Sequence, residues 1–317
     1  MYIFDRDELN IGVRVGLESW NAGDRIPDDY FVRLTSHPRF RDAAHALAAN
    51  MLAASQSDKA LDGIFKDAGR FVAAMFAIYL HVTGGLTLPR LKEICASSGY
   101  LSPGRARALL NYMRYLGYVE PVTKRVRGEP LRYVPTASFK DAWRNYLRAG
   151  LEAARVIEPA VGLVLDRLEE TSVQDSVSRV QGEGMLASTR SSSKESGFVR
   201  VFIERHAGAQ ILRVLVLEDA DEFPPAKALP FSIAALARRF AVSRIHVRRM
   251  LDEAVREKLL MLAADGAVTM TDRMRWMLAT LYATQLIRLL GACAQTLAEL
   301  PERSRAQAAS AALAANV

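Results

Sequence analysis

Residues 102–119 read SPGRARALLNYMRYLGYV, and residues 243–260 read SRIHVRRMLDEAVREKLL. Laid one under the other, they keep Ser102 with Ser243, Arg107 with Arg248, Leu110 with Leu251 and Val119 with Leu260. Each opens on a serine whose hydroxyl can accept a helix-start amide, and Pro103 takes the first helical position of the earlier copy. Ala106, Leu109, Leu110 and Met113 recur at threes and fours, as do Val247, Met250, Leu251 and Ala254. That spacing predicts two helices, each with one buried stripe. Gly117 stops the first. The stripe turns Gly104, Arg105, Arg107, Ala108, Asn111 and Tyr112 outward in one copy. In the other, Arg244, Ile245, His246, Arg248 and Arg249 face outward or flank that face.

The neighbouring sequence extends the match. Upstream of the first copy, Phe71, Met75, Ile78 and Val82 mark a helix that Gly84-Gly85 ends. Thr87 and Pro89 open a short helix that closes at Ser97–Gly99. Downstream, 118–123 and 131–134 read as two strands joined by a basic tip from Lys124 to Glu129. The second copy has a long helix ending near Leu217 and a short helix from Ser232 to Phe240. It ends in two strands around Asp265-Gly266, a tight hairpin signal. MLAAS at 51–55 recurs as MLAST at 185–189. Long helices are expected at about 137–170 and 273–298. The element order therefore repeats, although few letters do.

The 317 residues carry 42 Lys/Arg against 35 Asp/Glu, a net charge of +7, with half of the chain apolar. Two or three cores fit that length, and collagen-like or largely disordered classes do not fit. Nine basic and three acidic residues fall within 86–136, which accounts for most of the excess. The expected divisions are an N-terminal segment 1–37, a helical flank plus first unit 38–150 with its core at 71–136, a connecting helix and Ser-rich linker 151–197, a second unit with its C-terminal helix 198–299, and a flexible tail 300–317. Two cysteines, Cys95 and Cys293, cannot build a disulfide framework or a thiolate metal cage. The five histidines lack metal-ligand spacing, and no phosphate loop or nucleophile elbow occurs. The expectation is therefore no enzyme, no cofactor and no metal. No secretory leader or membrane span is visible, and a cytoplasmic setting with no membrane partner is expected.

Helix, short helix, turn, third helix and two-stranded hairpin resembles a winged helix-turn-helix, twice in this chain. The long flanking helices resemble those of MarR-type bacterial transcription regulators. The fold class expected is mainly α with small β-wings, two winged units joined by long helices. The resemblance implies a sequence-specific regulator that binds double-stranded DNA. It also implies that one chain carries what those regulators assemble from two, so a monomeric pseudo-dimer is favoured over a homodimer. The residues expected at DNA are Ser102, Arg105, Arg107, Asn111, Tyr112, Lys124, Arg125 and Arg127 in unit one, and Ser243, Arg244, His246, Arg248 and Arg249 in unit two. Arginine can pair with guanine and asparagine with adenine in the major groove, and the serines can reach phosphates. Wing two, Ala263-Ala264-Asp265-Gly266, lacks the basic tip of wing one, so unequal engagement of the two units is expected.

The resemblance also allows a small-molecule effector near Trp143, Tyr146, Tyr79 and His81, whose ordinary reading is helix packing. Two rival functions stay open. One is a plasmid-type replication initiator, which would bind directly repeated sites. The other is a non-catalytic tandem winged-helix subunit for protein interaction or chromosome organisation.

Overall fold

The computed structural model describes residues 28–57, 64, 68–99, 101–122, 127–189 and 197–299. It is mainly helical with small antiparallel sheets. Two helices lead, α1 (Asp28–Thr35) and α2 (Phe40–Gln56). Unit one follows: α3 (Ala68–Val82), β1 (Leu86–Thr87), α4 (Leu88–Ser98), α5 (Pro103–Tyr115), β2 (Val119–Pro121) and β3 (Arg132–Pro135). Its sheet runs in the order β1-β3-β2, with Leu86 opposite Tyr133 and Val119 opposite Pro135. Then come α6 (Ala137–Arg155), the short α7 (Val161–Leu165) and α8 (Thr171–Thr189). Unit two holds a π-helical turn at Val199–Ile203, then α9 (Gly208–Leu217), α10 (Ile233–Arg239), α11 (Arg244–Arg256), β4 (Leu260–Leu262) and β5 (Val268–Met270). The long α12 (Asp272–Glu299) follows.

Unit two contains the counterpart of β1 in reduced form. Leu229 makes a single antiparallel bridge to Val268, placing it where Leu86 stands in unit one. The junctions to the long helices also repeat, atom for atom. Thr136 donates its hydroxyl to the Gly117 carbonyl (2.7 Å) and accepts from the Phe139 amide. Thr271 donates to the Lys258 carbonyl (2.8 Å) and accepts from the Met274 amide. Gly117 and Lys258 both take left-handed backbone, at φ +70° and +54°, which reverses the chain from third helix into strand.

Two expectations need correction. The Ser-rich stretch read as a linker is helical through Thr189, with Val173, Val177 and Val180 buried, while 190–196, with Ser191, Ser192 and Ser193, lies outside the described residues. Small serines there let α8 pack closely: Ser178 accepts a hydrogen bond from the buried Trp143 indole (3.2 Å), and Ser176 meets Thr296 (3.1 Å). The helix ending near Leu217 is not continuous. It breaks at 204–207, where Ala207 has φ +59° and Gly208 lies under the Phe202 carbonyl so closely that a Cβ would fall 2.7 Å from it. Within the N-terminal segment 1–37, α1 packs on α12.

The core is one continuous set of buried apolar residues running through both units. Its packing is reciprocal. Helix α2, ahead of unit one, lies on α9 of unit two, and α8, ahead of unit two, lies on α3 of unit one. The helices that follow each unit, α6 and α12, pack on each other. Gly150 sits at that crossing, where a side chain would meet Met51 and Leu289.

Candidate nucleic-acid interface

The two third helices, α5 and α11, are each 13 residues long and in the same register. Ser102 Oγ accepts from the Arg105 amide (3.3 Å), and Ser243 Oγ accepts from the His246 amide (3.0 Å). Either hydroxyl keeps its own hydrogen to donate. Ala106, Leu110 and Met113 are buried under α5, with Leu109 half-buried, and all four residues of the α11 stripe are buried. The outward stripe of α5 is therefore Gly104, Arg107, Ala108, Asn111 and Tyr115. That of α11 is Ile245, Arg248, Arg249, Asp252 and Arg256, at the same five positions.

The second and third helices of the two units carry equal positive charge. Residues 88–115 hold Arg90, Lys92, Arg105, Arg107 and Arg114 against Glu93. Residues 232–256 hold Arg238, Arg239, Arg244, Arg248, Arg249 and Arg256 against Asp252 and Glu253, the same net of +4. Among the described residues Arg107, Arg244, Arg248 and Arg249 are exposed and form no ion pair. Uncompensated guanidinium groups along one helix face are well suited to phosphate oxygens and guanine edges.

The structure sorts the sequence-predicted residues. Ser102, Arg105, Arg107 and Asn111 are exposed together on α5, as are Ser243, Arg244, Arg248 and Arg249 on α11. Two residues expected to face outward do not. Tyr112 is half-buried, with the Arg70 guanidinium of α3 over its ring at 5.6 Å. His246 is half-buried too, and its Nε2 bonds the His206 carbonyl at 2.8 Å. Each sits at the edge of the buried stripe, where the leading segment of its unit captures it, through α3 in unit one and the break at 204–207 in unit two. Arg127 is exposed beside the β2–β3 tip, whereas Lys124 and Arg125 lie outside the described residues. Wing two closes through a turn in which Gly266 (φ +88°) donates to Ala263, and the Asp265 carboxylate accepts from the Ala267 amide (2.9 Å). Met261 and Leu262 leave the same wing exposed and apolar.

Sequence reasoning missed two residues. Tyr115 is 86% exposed on the outward stripe of α5, and the i, i+4, i+11 spacing from Gly104 was the available signal. Glu253, one helical step from the outward stripe of α11, is buried and bonded by both Arg200 and Arg205. The hydrogen bond from Arg200, joined by the charge of Arg205, holds its carboxyl below the ordinary glutamate range. Glu253 and Tyr112 occupy the same position of the repeat, so in each unit an arginine from the leading segment anchors the third helix there.

Of the aromatic residues named for an effector, Trp143, Tyr146 and Tyr79 are built into helix packing. Trp143 is fully buried, stacked on Phe71 (5.9 Å) and Tyr146 (5.1 Å). Cys95 and Cys293 are buried, and burial pushes the Cys95 thiol up to about 12. Among the described residues no three His, Cys, Asp or Glu side chains come together as a metal site. Helix α12 is long and apolar enough to cross a membrane by length and composition, and more than half of that stretch is buried against the rest of the protein. No protein-family model, characterised protein or solved structure matches this chain.

Proposed function

We propose that this chain is a sequence-specific double-stranded DNA-binding transcription regulator, built as a single-chain pair of winged helix-turn-helix units. The observation that carries the reading is the matched pair α5 and α11. They share length, cap and register, and each presents an outward arginine, Arg107 or Arg248, that forms no ion pair among the described residues. In this reading α4–α5 and α10–α11 are the helix-turn-helix pairs, and β2–β3 and β4–β5 are the wings. Arg107 and Arg248 meet base edges or phosphates in the major groove. Ser102 and Ser243 meet the backbone. Wing one, with Arg127, adds phosphate contacts that the apolar, acid-tipped wing two lacks. No chemical step belongs to this function: occupancy of promoter DNA is the output.

The test is fluorescence anisotropy of the full chain with duplex DNA from upstream of its own gene, against scrambled duplex, across a salt series. The expected result is saturable, preferential binding whose log affinity falls steeply with log salt, as several phosphate contacts require. Absence of binding at low salt would overturn the reading. The exposed Ile245, Met261, Leu262 and Trp276 of the second half support one alternative, a non-catalytic protein-interaction subunit, and that outcome would favour it.

A further inference from the structure

The two outward stripes occupy equivalent positions but carry different chemistry. Position by position, Gly104 corresponds to Ile245, Arg107 to Arg248, Ala108 to Arg249, Asn111 to Asp252 and Tyr115 to Arg256. Only the arginine at 107 and 248 is shared. The side chains of Asn111 and Asp252 are exposed, and among the described residues neither forms a hydrogen bond or ion pair.

The relation between the units follows from what packs on what. Exchanging unit one for unit two turns the α2–α9 contact into the α8–α3 contact, and both are present. The same exchange maps the α6–α12 contact onto itself. An arrangement that closes on itself under exchange is a two-fold, whereas a head-to-tail relation would leave one of these faces without its counterpart. Third helices related by a two-fold run in opposite senses, so a duplex presents inverted half-sites to them.

We propose that the ligand is duplex DNA with two inverted, unlike half-sites that share one guanine position and differ at the others. This rests on the DNA-reading function proposed above. Arg107 and Arg248 read the shared guanine. Asn111 selects adenine in one half-site, while Asp252, an acceptor only, takes the cytosine amino group at the equivalent place in the other. Ile245 packs on a thymine methyl where Gly104 makes no side-chain contact. Directly repeated sites do not fit this geometry, which separates the chain from an initiator that binds direct repeats.

The experiment is selection from a random duplex pool with the purified full chain, repeated with Asn111→Asp and with Asp252→Asn. Both substitutions lie on exposed helix positions, and thermal melts confirm that each variant folds. The expected enriched site is asymmetric and inverted, with one G·C pair common to both halves. Asn111→Asp should change base preference by about tenfold at one position of one half-site, and Asp252→Asn by about tenfold at the equivalent position of the other. Enrichment of a perfect palindrome or a direct repeat would overturn this inference while leaving DNA reading intact. An asymmetric inverted site with base preferences unchanged in both variants would overturn the residue assignment. Failure to enrich any sequence, with no binding at low salt, would overturn the function and this inference together.

Discussion

Unit one and unit two place equivalent helices at the same step before their hairpins but hold them by different chemistry. In unit one the leading helix α3 is continuous, and its Arg70 covers an aromatic ring on α5. In unit two the leading segment is a π-helical turn plus a shorter helix, and its Arg200 and Arg205 grip a buried carboxylate on α11. Unit one has a two-residue β1, and unit two has one bridge. The length, cap and register of a third helix thus survive replacement of a cation–π contact by an ion pair. What both units keep is the apolar stripe, the serine cap and the threonine junction, because those fix the helix axis and its rotation. The outward residues are free of that duty and have diverged.

The largest effects should come from the junctions to the long helices. Trp143 and Leu278 stand at the same step after their Thr136 and Thr271 caps, and both are fully buried. Trp143→Ala should cost about 4 kcal/mol and Leu278→Ala about 3 kcal/mol in denaturant melts. Two resolved unfolding transitions, with each substitution shifting only one of them, would break the picture of a single shared core.

Next come the shared arginines. Arg107→Glu and Arg248→Glu should each weaken DNA affinity by about a hundredfold, with little change in melting temperature. Loss confined to Arg107→Glu would show that only unit one reads DNA.

The anchors differ in their response to acid. Because the Glu253 carboxyl is held below its ordinary value of 4.5, its contribution to stability is complete above that pH. The contribution is lost as pH falls through the lowered value. Glu253→Gln should cost about 1–2 kcal/mol at pH 7, and the gap from wild type should narrow as pH falls below 4.5 and through the lowered value. Tyr112→Phe, at the matching position of unit one, should show no such pH-dependent gap. A gap for Glu253→Gln that stays constant with pH would remove the ion pair as the cause.

The smallest effect tests the left-handed turn. Gly117 takes its positive φ without strain, whereas Lys258 takes it against its Cβ. Lys258→Gly should stabilise the protein by about 0.5–1 kcal/mol, and Gly117→Lys should destabilise it by a similar amount. Equal and negligible shifts in thermal melts would mean that the turn relaxes.

Local sequence was enough for the capped helices and the hairpins. Ser102, Ser243, Thr87 and Ser232 all cap the helices that their positions announce, since capping depends on three or four residues and their backbone. The buried stripes of α5 and α11 were legible for the same reason, because a 3.6-residue period records which face is inside. So were Arg107, Asn111, Arg248 and Arg249 as outward residues. The serines of α8 misled because small polar residues suit a tight helix crossing as well as a loop, and only the Trp143 ring across the interface tells the two apart.

The sequence by itself determined the repeat, the caps, the basic faces and which side of each third helix is apolar. These depend on near neighbours, whose spacing is written in the chain. Tertiary structure alone decided that α2 lies on α9 and α8 on α3, that His246 and Tyr112 turn inward, and that the two units face each other across α6 and α12. Those contacts join residues tens to more than a hundred positions apart, and their energy comes from shape and charge brought together only after the chain has folded.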